Sequence, residues 1–158
     1  MPRHAERRLL PHTPEQLFDL VADVERYPEF LPWCVATRVS GRRVDGFMAE
    51  MVIGFKMFRE RYVSRVDVDK PHRIDVSHFR GPFKHLRNHW IFEPAEGGCI
   101  VDFSVDFEFH SRLMERLIGS VFHEAVRRMV SAFEKRAGQL YARLPAPDNH
   151  TVQSASGD

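Results

Sequence analysis

A chain of 158 residues with a formal net charge of +1 fits one domain, large enough to bury a core without a disulfide or metal staple. The near-neutral balance excludes a strongly basic nucleic-acid binder, and no apolar run reaches the roughly eighteen residues of a membrane span. The opening stretch at 1–10 lacks the apolar run of a secretory signal and is short for a transit peptide, so the expected location is cytoplasmic, or peripheral on the inner face of the cell membrane.

Residues 3–10 read as a first strand. Thr13-Pro14-Glu15-Gln16 then announces a helix, with Thr13 as cap and Pro14 in the first turn. Leu17, Phe18, Leu20, Val21 and Val24 supply its apolar face. A second short helical segment spans about 25–31 and is limited by Pro28 and Pro32.

From 35 to 109 the chain reads as a run of about six strands. Phe47, Ala49, Met51, Ile53 and Phe55 share one face of a strand, and Phe58, Glu60, Tyr62, Ser64 and Val66 one face of the next. Leu86, Asn88, Trp90 and Phe92 alternate with Arg87, His89, Ile91 and Glu93. The last strand is the clearest: Val101, Phe103, Val105, Phe107 and Phe109 oppose Asp102, Ser104, Asp106 and Glu108. Such alternation means a sheet with one dry and one wet face. Turns are expected at Asp45-Gly46, Lys70-Pro71, Gly81-Pro82 and Gly97-Gly98.

Ser111 caps a predicted helix over 112–144, roughly 45 Å long. Leu113, Leu117, Val121, Ala125, Met129 and Phe133 form its stripe, widened by Ile118, Phe122, Val126, Val130 and Ala137. The predicted architecture is α+β: a curved antiparallel sheet gripping a long C-terminal helix, with two short helices after the first strand. Residues 1–144 make the domain, and 145–158 a disordered tail. One helix cannot fill the concave side of so wide a sheet, so an apolar cavity between them is expected.

These residues carry a resemblance. Tyr-Pro-x-Phe-Leu-Pro-Trp-Cys at 27–34, Gly81-Pro82-Phe83-Lys84, Leu86-x-Asn88-x-Trp90-x-Phe92, Val105 to Phe109 and Phe122 to Met129 together resemble the coenzyme Q-binding Coq10 family. That family lies in the START-like, polyketide-cyclase-like superfamily, close to the ribosome-association toxin RatA. The resemblance covers roughly residues 3–144. It implies a ubiquinone-binding lipid chaperone that supports respiration and is not an enzyme. The alternative it implies is a RatA-like protein that binds the large ribosomal subunit and blocks subunit association. The missing transit peptide suggests a bacterial member.

Candidate cavity residues are Phe30, Leu31, Trp33, Met51, Ile53, Phe55, Tyr62 and Trp90, with Phe103, Val105, Phe107, Phe122, Val126, Met129 and Val130. Burial of a prenyl tail gives no preference over a bilayer, which hides the tail equally. Specificity must come from hydrogen bonds to the quinone head. Asn88, Tyr62 and the Trp90 indole are the candidate donors. Arg127, Arg128, Lys135 and Arg136 are candidate contacts to anionic headgroups or to ribosomal RNA; no DNA partner is expected.

No catalytic residue is assigned: Asp102, Ser104 and Asp106 share the polar strand face, where burial cannot tune them. Cys34 and Cys99 match no zinc or redox spacing and read as free thiols, with a disulfide left open. His85 and His89 lie too far apart along one strand to share a metal with His78, so no metal and no cofactor beyond bound ubiquinone is expected.

Overall fold

The computed structural model describes residues 3–145 apart from Lys56. The tail expected to be disordered lies, beyond residue 145, outside the described residues. Seven strands form one sheet: β1 (Arg3–Leu10), β2 (Cys34–Arg43), β3 (Gly46–Phe55), β4 (Phe58–Asp69), β5 (Arg73–Arg80), β6 (Phe83–Ala95) and β7 (Gly98–Phe109). Their spatial order is β1-β7-β6-β5-β4-β3-β2, and every pairing is antiparallel. Six strands thus form a meander, and the first returns beside the last.

The alternation expected in β7 is present: Val101, Phe103, Phe107 and Phe109 are buried, and Asp102, Ser104, Asp106 and Glu108 are not. Gly98 sits at φ 157°, and a Cβ there would lie 1.9 Å from the Leu10 carbonyl oxygen, so only glycine lets β7 start this close to the end of β1.

Two helical pieces cross from β1 to β2. The first, α1 (Pro14–Ala22), opens on a complete capping box: the Thr13 hydroxyl accepts from the Gln16 N–H at 3.1 Å, and the Gln16 amide oxygen accepts from the Thr13 N–H at 3.0 Å. It buries Leu17, Phe18, Leu20 and Val21. The second, Val24–Glu29, is a 3₁₀ helix containing Pro28; the tighter coil accommodates a proline that an α-helix interior would reject.

The C-terminal region departs from expectation. In place of one helix to residue 144 there are two, α2 (Arg112–Gly119) and α3 (Phe122–Leu140). Ser120 caps α2, and Val121, at φ −117° and ψ 2°, leaves helical geometry. Val121 N–H bonds the Ile118 carbonyl, so the chain turns and restarts there. Leu113 and Leu117, placed by periodicity on the buried stripe, are 65% and 42% exposed. Ile118 packs against the core as expected, and Met114, not named on the stripe, joins it there.

α3 carries the closure. Phe122, Val126, Phe133 and Ala137 are buried, and the Phe133 ring lies 5.4 Å from Tyr27, 5.4 Å from Phe30 and 5.2 Å from Trp90. One side chain thereby joins α3 to the 3₁₀ segment and to β6, and truncating such a phenylalanine typically costs about 3–5 kcal/mol.

Candidate ligand cavity

Between the sheet and α2–α3 lies a cavity of about 310 Å³, at the low end of the range for small-molecule sites. Inward positions of β3, β4, β6 and β7 form its walls, because alternate residues of a strand face one side. Phe55, Ile53, Met51 and Ala49 come from β3, and Phe58, Glu60, Tyr62, Ser64 and Val66 from β4. Val105 and Phe107 come from β7, and the roof is Met114, Ile118, Phe122, Val126, Met129 and Val130.

The structure brings together on this cavity every lining residue named from sequence except Phe30. Phe30 is corrected: its ring stacks edge-on against Tyr27 and Phe133, and the Arg136 guanidinium lies 5.3 Å from its centroid. It braces the helix from outside the cavity. Sequence reasoning did not assign Glu60 and Ser64 to the cavity, although their parity with Tyr62 on β4 was the available signal.

Trp33 holds a left-handed backbone at φ 64°, uncommon for a bulky residue. Its ring packs at 82° on Phe55, 5.4 Å away, and its carbonyl accepts from the Gly54 N–H at 2.9 Å. These contacts turn the indole into the cavity wall at the start of β2.

Polar groups in the cavity are few. The Trp90 indole N–H donates to Asn88 Oδ1 at 2.8 Å, and Asn88 Nδ2 donates to the Ser104 carbonyl at 2.9 Å. Two of the three expected head-group donors are therefore engaged inside the sheet. The Tyr62 hydroxyl meets Met51 Sδ at 3.2 Å, a weak acceptor. Ser64 is 3% exposed and its Oγ has no hydrogen-bond partner. Glu60 is the sole charged group among the described lining residues, which include no Lys, Arg or His.

Burial raises the ionisation of Tyr27 and Tyr62 well above the ordinary phenol range, and pushes the Cys34 thiol up to about 11. Cys34 lines the cavity as a free, buried thiol; Cys99, also free, is fully buried away from it. Among the described residues no three His, Cys, Asp or Glu side chains gather to hold a metal. His89 pairs with Asp75, and His85 lies 3.5 Å from Asp106.

The four cations named on the last helix differ in exposure and pairing. Arg127, Arg128 and Lys135 are exposed, with Arg128 bonded to Glu124 at 3.1 Å. Arg136 is corrected: its side chain is 18% exposed, bonded to Glu29 at 2.7 Å and stacked over Phe30. It is a structural bridge between α3 and the 3₁₀ segment.

Residues 10–134 match the family described as polyketide cyclase / dehydrase and lipid transport. The chain is 39% identical over 137 residues to the ribosome association toxin RatA of Rickettsia prowazekii, covering 84% of this chain and 94% of that one. It is also 39% identical over 149 residues to the mitochondrial coenzyme Q-binding protein COQ10 homolog B of Xenopus laevis, covering 91% of this chain and 61% of that protein. Among solved structures, an 18 kDa protein of Caulobacter crescentus superposes with a TM-score of 0.74 at 41% identity, over 89% of this chain and 98% of that one. A START superfamily protein of Mycobacterium smegmatis superposes with a TM-score of 0.75 at 14% identity, over 88% and 99%. The fold is START-like, with the helix-grip arrangement of sheet and C-terminal helices.

Proposed function

The chain belongs to the polyketide cyclase / dehydrase and lipid transport family, and from that premise we propose that it binds a neutral prenyl lipid, ubiquinone, as a carrier or chaperone and not as an enzyme. The observation that carries this reading is the lining: almost wholly apolar, with a carboxylate and no cation among its described residues. An anionic lipid head would meet Glu60 with nothing to neutralise it. A quinone has no charge to bury. The relative named as a coenzyme Q-binding protein, 39% identical over most of this chain, supports the same ligand.

A carrier of such a lipid must reach a bilayer. Arg127 and Lys135, exposed and without an ion pair among the described residues, are the groups proposed to meet anionic headgroups.

A second reading has support of its own. The relatives named as ribosome association toxins match this chain over nearly their full length, and the same exposed cations would suit ribosomal RNA. The separating test is a titration of the protein with ubiquinone and with a long-chain fatty acid, read by quenching of Trp33 and Trp90, both on the cavity wall. Saturable quenching by ubiquinone and none by the fatty acid supports the quinone reading. No response to ubiquinone, with cosedimentation on ribosomes that fades as salt rises, moves the assignment to the ribosome.

A further inference from the structure

We infer that the Ser64 hydroxyl is the polar anchor of the cavity, donating its hydrogen bond to a carbonyl oxygen of a bound quinone-class ligand. The inference rests on the reading of the cavity as a quinone site and names the contact that would select the head.

Ser64 stands in the middle of β4, between Tyr62 and Val66 on the cavity face. Its cross-strand neighbour on β3 is Ala49, a small side chain on the same wall. Its neighbour on β5 is His78, whose Nδ1 is likewise buried and unpartnered. At 3% exposure, Ser64 Oγ has lost its water and has no hydrogen bond in exchange. Buried hydroxyls are normally paired, so an orphan in a ligand-sized cavity points to a partner that arrives with the ligand.

Each competing donor already has a partner in the wall, where Ser64 has none. Trp90 donates its single indole N–H to Asn88, and Asn88 gives one of its two amide N–H groups to the Ser104 carbonyl. Tyr62 is held at the Met51 sulfur. Glu60, as a carboxylate, can only accept, so it cannot hold a carbonyl oxygen. The chemistry that Ser64 offers is one O–H donor in an apolar wall, which fits a ketone or quinone oxygen flanked by hydrocarbon.

The test compares two ring-matched probes on the wild type, Ser64→Ala and Ser64→Cys, by titration calorimetry. One probe is 2-methyl-1,4-naphthoquinone. The other is 2-methylnaphthalene, the same ring system without the carbonyl oxygens. Ser64→Ala should weaken the quinone by about three- to tenfold, the worth of one neutral hydrogen bond, and leave the hydrocarbon unchanged. Ser64→Cys keeps the volume with only a weak donor and should reproduce the loss. The ligand-free melting temperature of Ser64→Ala should be unchanged or higher, because an unpaired polar group has been removed. Equal affinity of all three proteins for the quinone overturns the anchor while leaving the quinone reading intact. Equal losses for both probes overturn it too, since packing would then be the cause. If the wild type binds the hydrocarbon as well as the quinone, no head-group contact exists; if it binds neither, the quinone reading itself falls.

Discussion

The Trp90 indole N–H donates to the side-chain oxygen of Asn88, two residues back along β6. The bond ties together two cavity-wall residues that, free, would both have been candidate donors to a ligand. Asn88 is thereby a structural residue. Asn88→Ala should strand the indole N–H in a buried site and cost about 1–3 kcal/mol, read as a lower midpoint in urea unfolding. A midpoint within error of the parent would return Asn88 to the pool of ligand donors.

Val105 faces the cavity from mid-strand, paired with Asn88 on one side and His4 on the other. Val105→Phe should occupy space kept for ligand, so the melting temperature should hold while ubiquinone binding is lost. A packed core would respond differently, with about 1–3 kcal/mol of overpacking and a clear fall in Tm.

Cys34 and Cys99 should differ in how ligand affects them. Alkylation needs the thiolate, and burial pushes both thiols up to about 11 from an ordinary value near 9.0. At pH 8 the reactive fraction is therefore about a hundredfold below that of a free thiol, and labelling should accelerate as pH rises toward 11. Bound ligand should slow labelling at Cys34, which lines the cavity, and leave Cys99 unaffected. Protection of both alike would indicate global stabilisation in place of occupancy.

How much of this was legible in the sequence differs by element. The strands were, because strict alternation such as Phe103, Val105 and Phe107 against Asp102, Ser104 and Asp106 has one geometric solution. The C-terminal helix was legible only as a helical region. Leu113 and Leu117 form one apolar row and Met114 and Ile118 an adjacent one, and periodicity alone cannot say which row turns inward once the chain breaks at Val121. Gly119, next to the break, was the available hint. Arg136 looked like a solvated cation because its partner Glu29 lies 107 residues away. Ser64 shares the parity of Tyr62 on β4, which puts it on the cavity face, but its lack of a hydrogen-bond partner depends on the folded surroundings and has no local signature.

Arg136 and its helical neighbours should therefore separate in experiment. Reversing Arg127 and Lys135 should lower binding to anionic vesicles at low salt, by about 1 kcal/mol or less per residue, with little effect at high salt. Arg136→Ala should leave vesicle binding intact and lower stability by about 1 kcal/mol, through the lost Glu29 pair and the cation–π contact with Phe30. The opposite pattern would put the docking surface on the Arg136 side.

The ligand that the folded protein carries can be measured directly. The protein is purified under mild conditions from a host that makes ubiquinone, extracted into organic solvent, and the extract is quantified against protein by chromatography and mass spectrometry. Ubiquinone should approach one molecule per chain, with a marked drop for Val105→Phe. An extract free of quinone from a folded wild-type protein, with that protein recovered on ribosomes in the same lysate, would contradict the quinone reading.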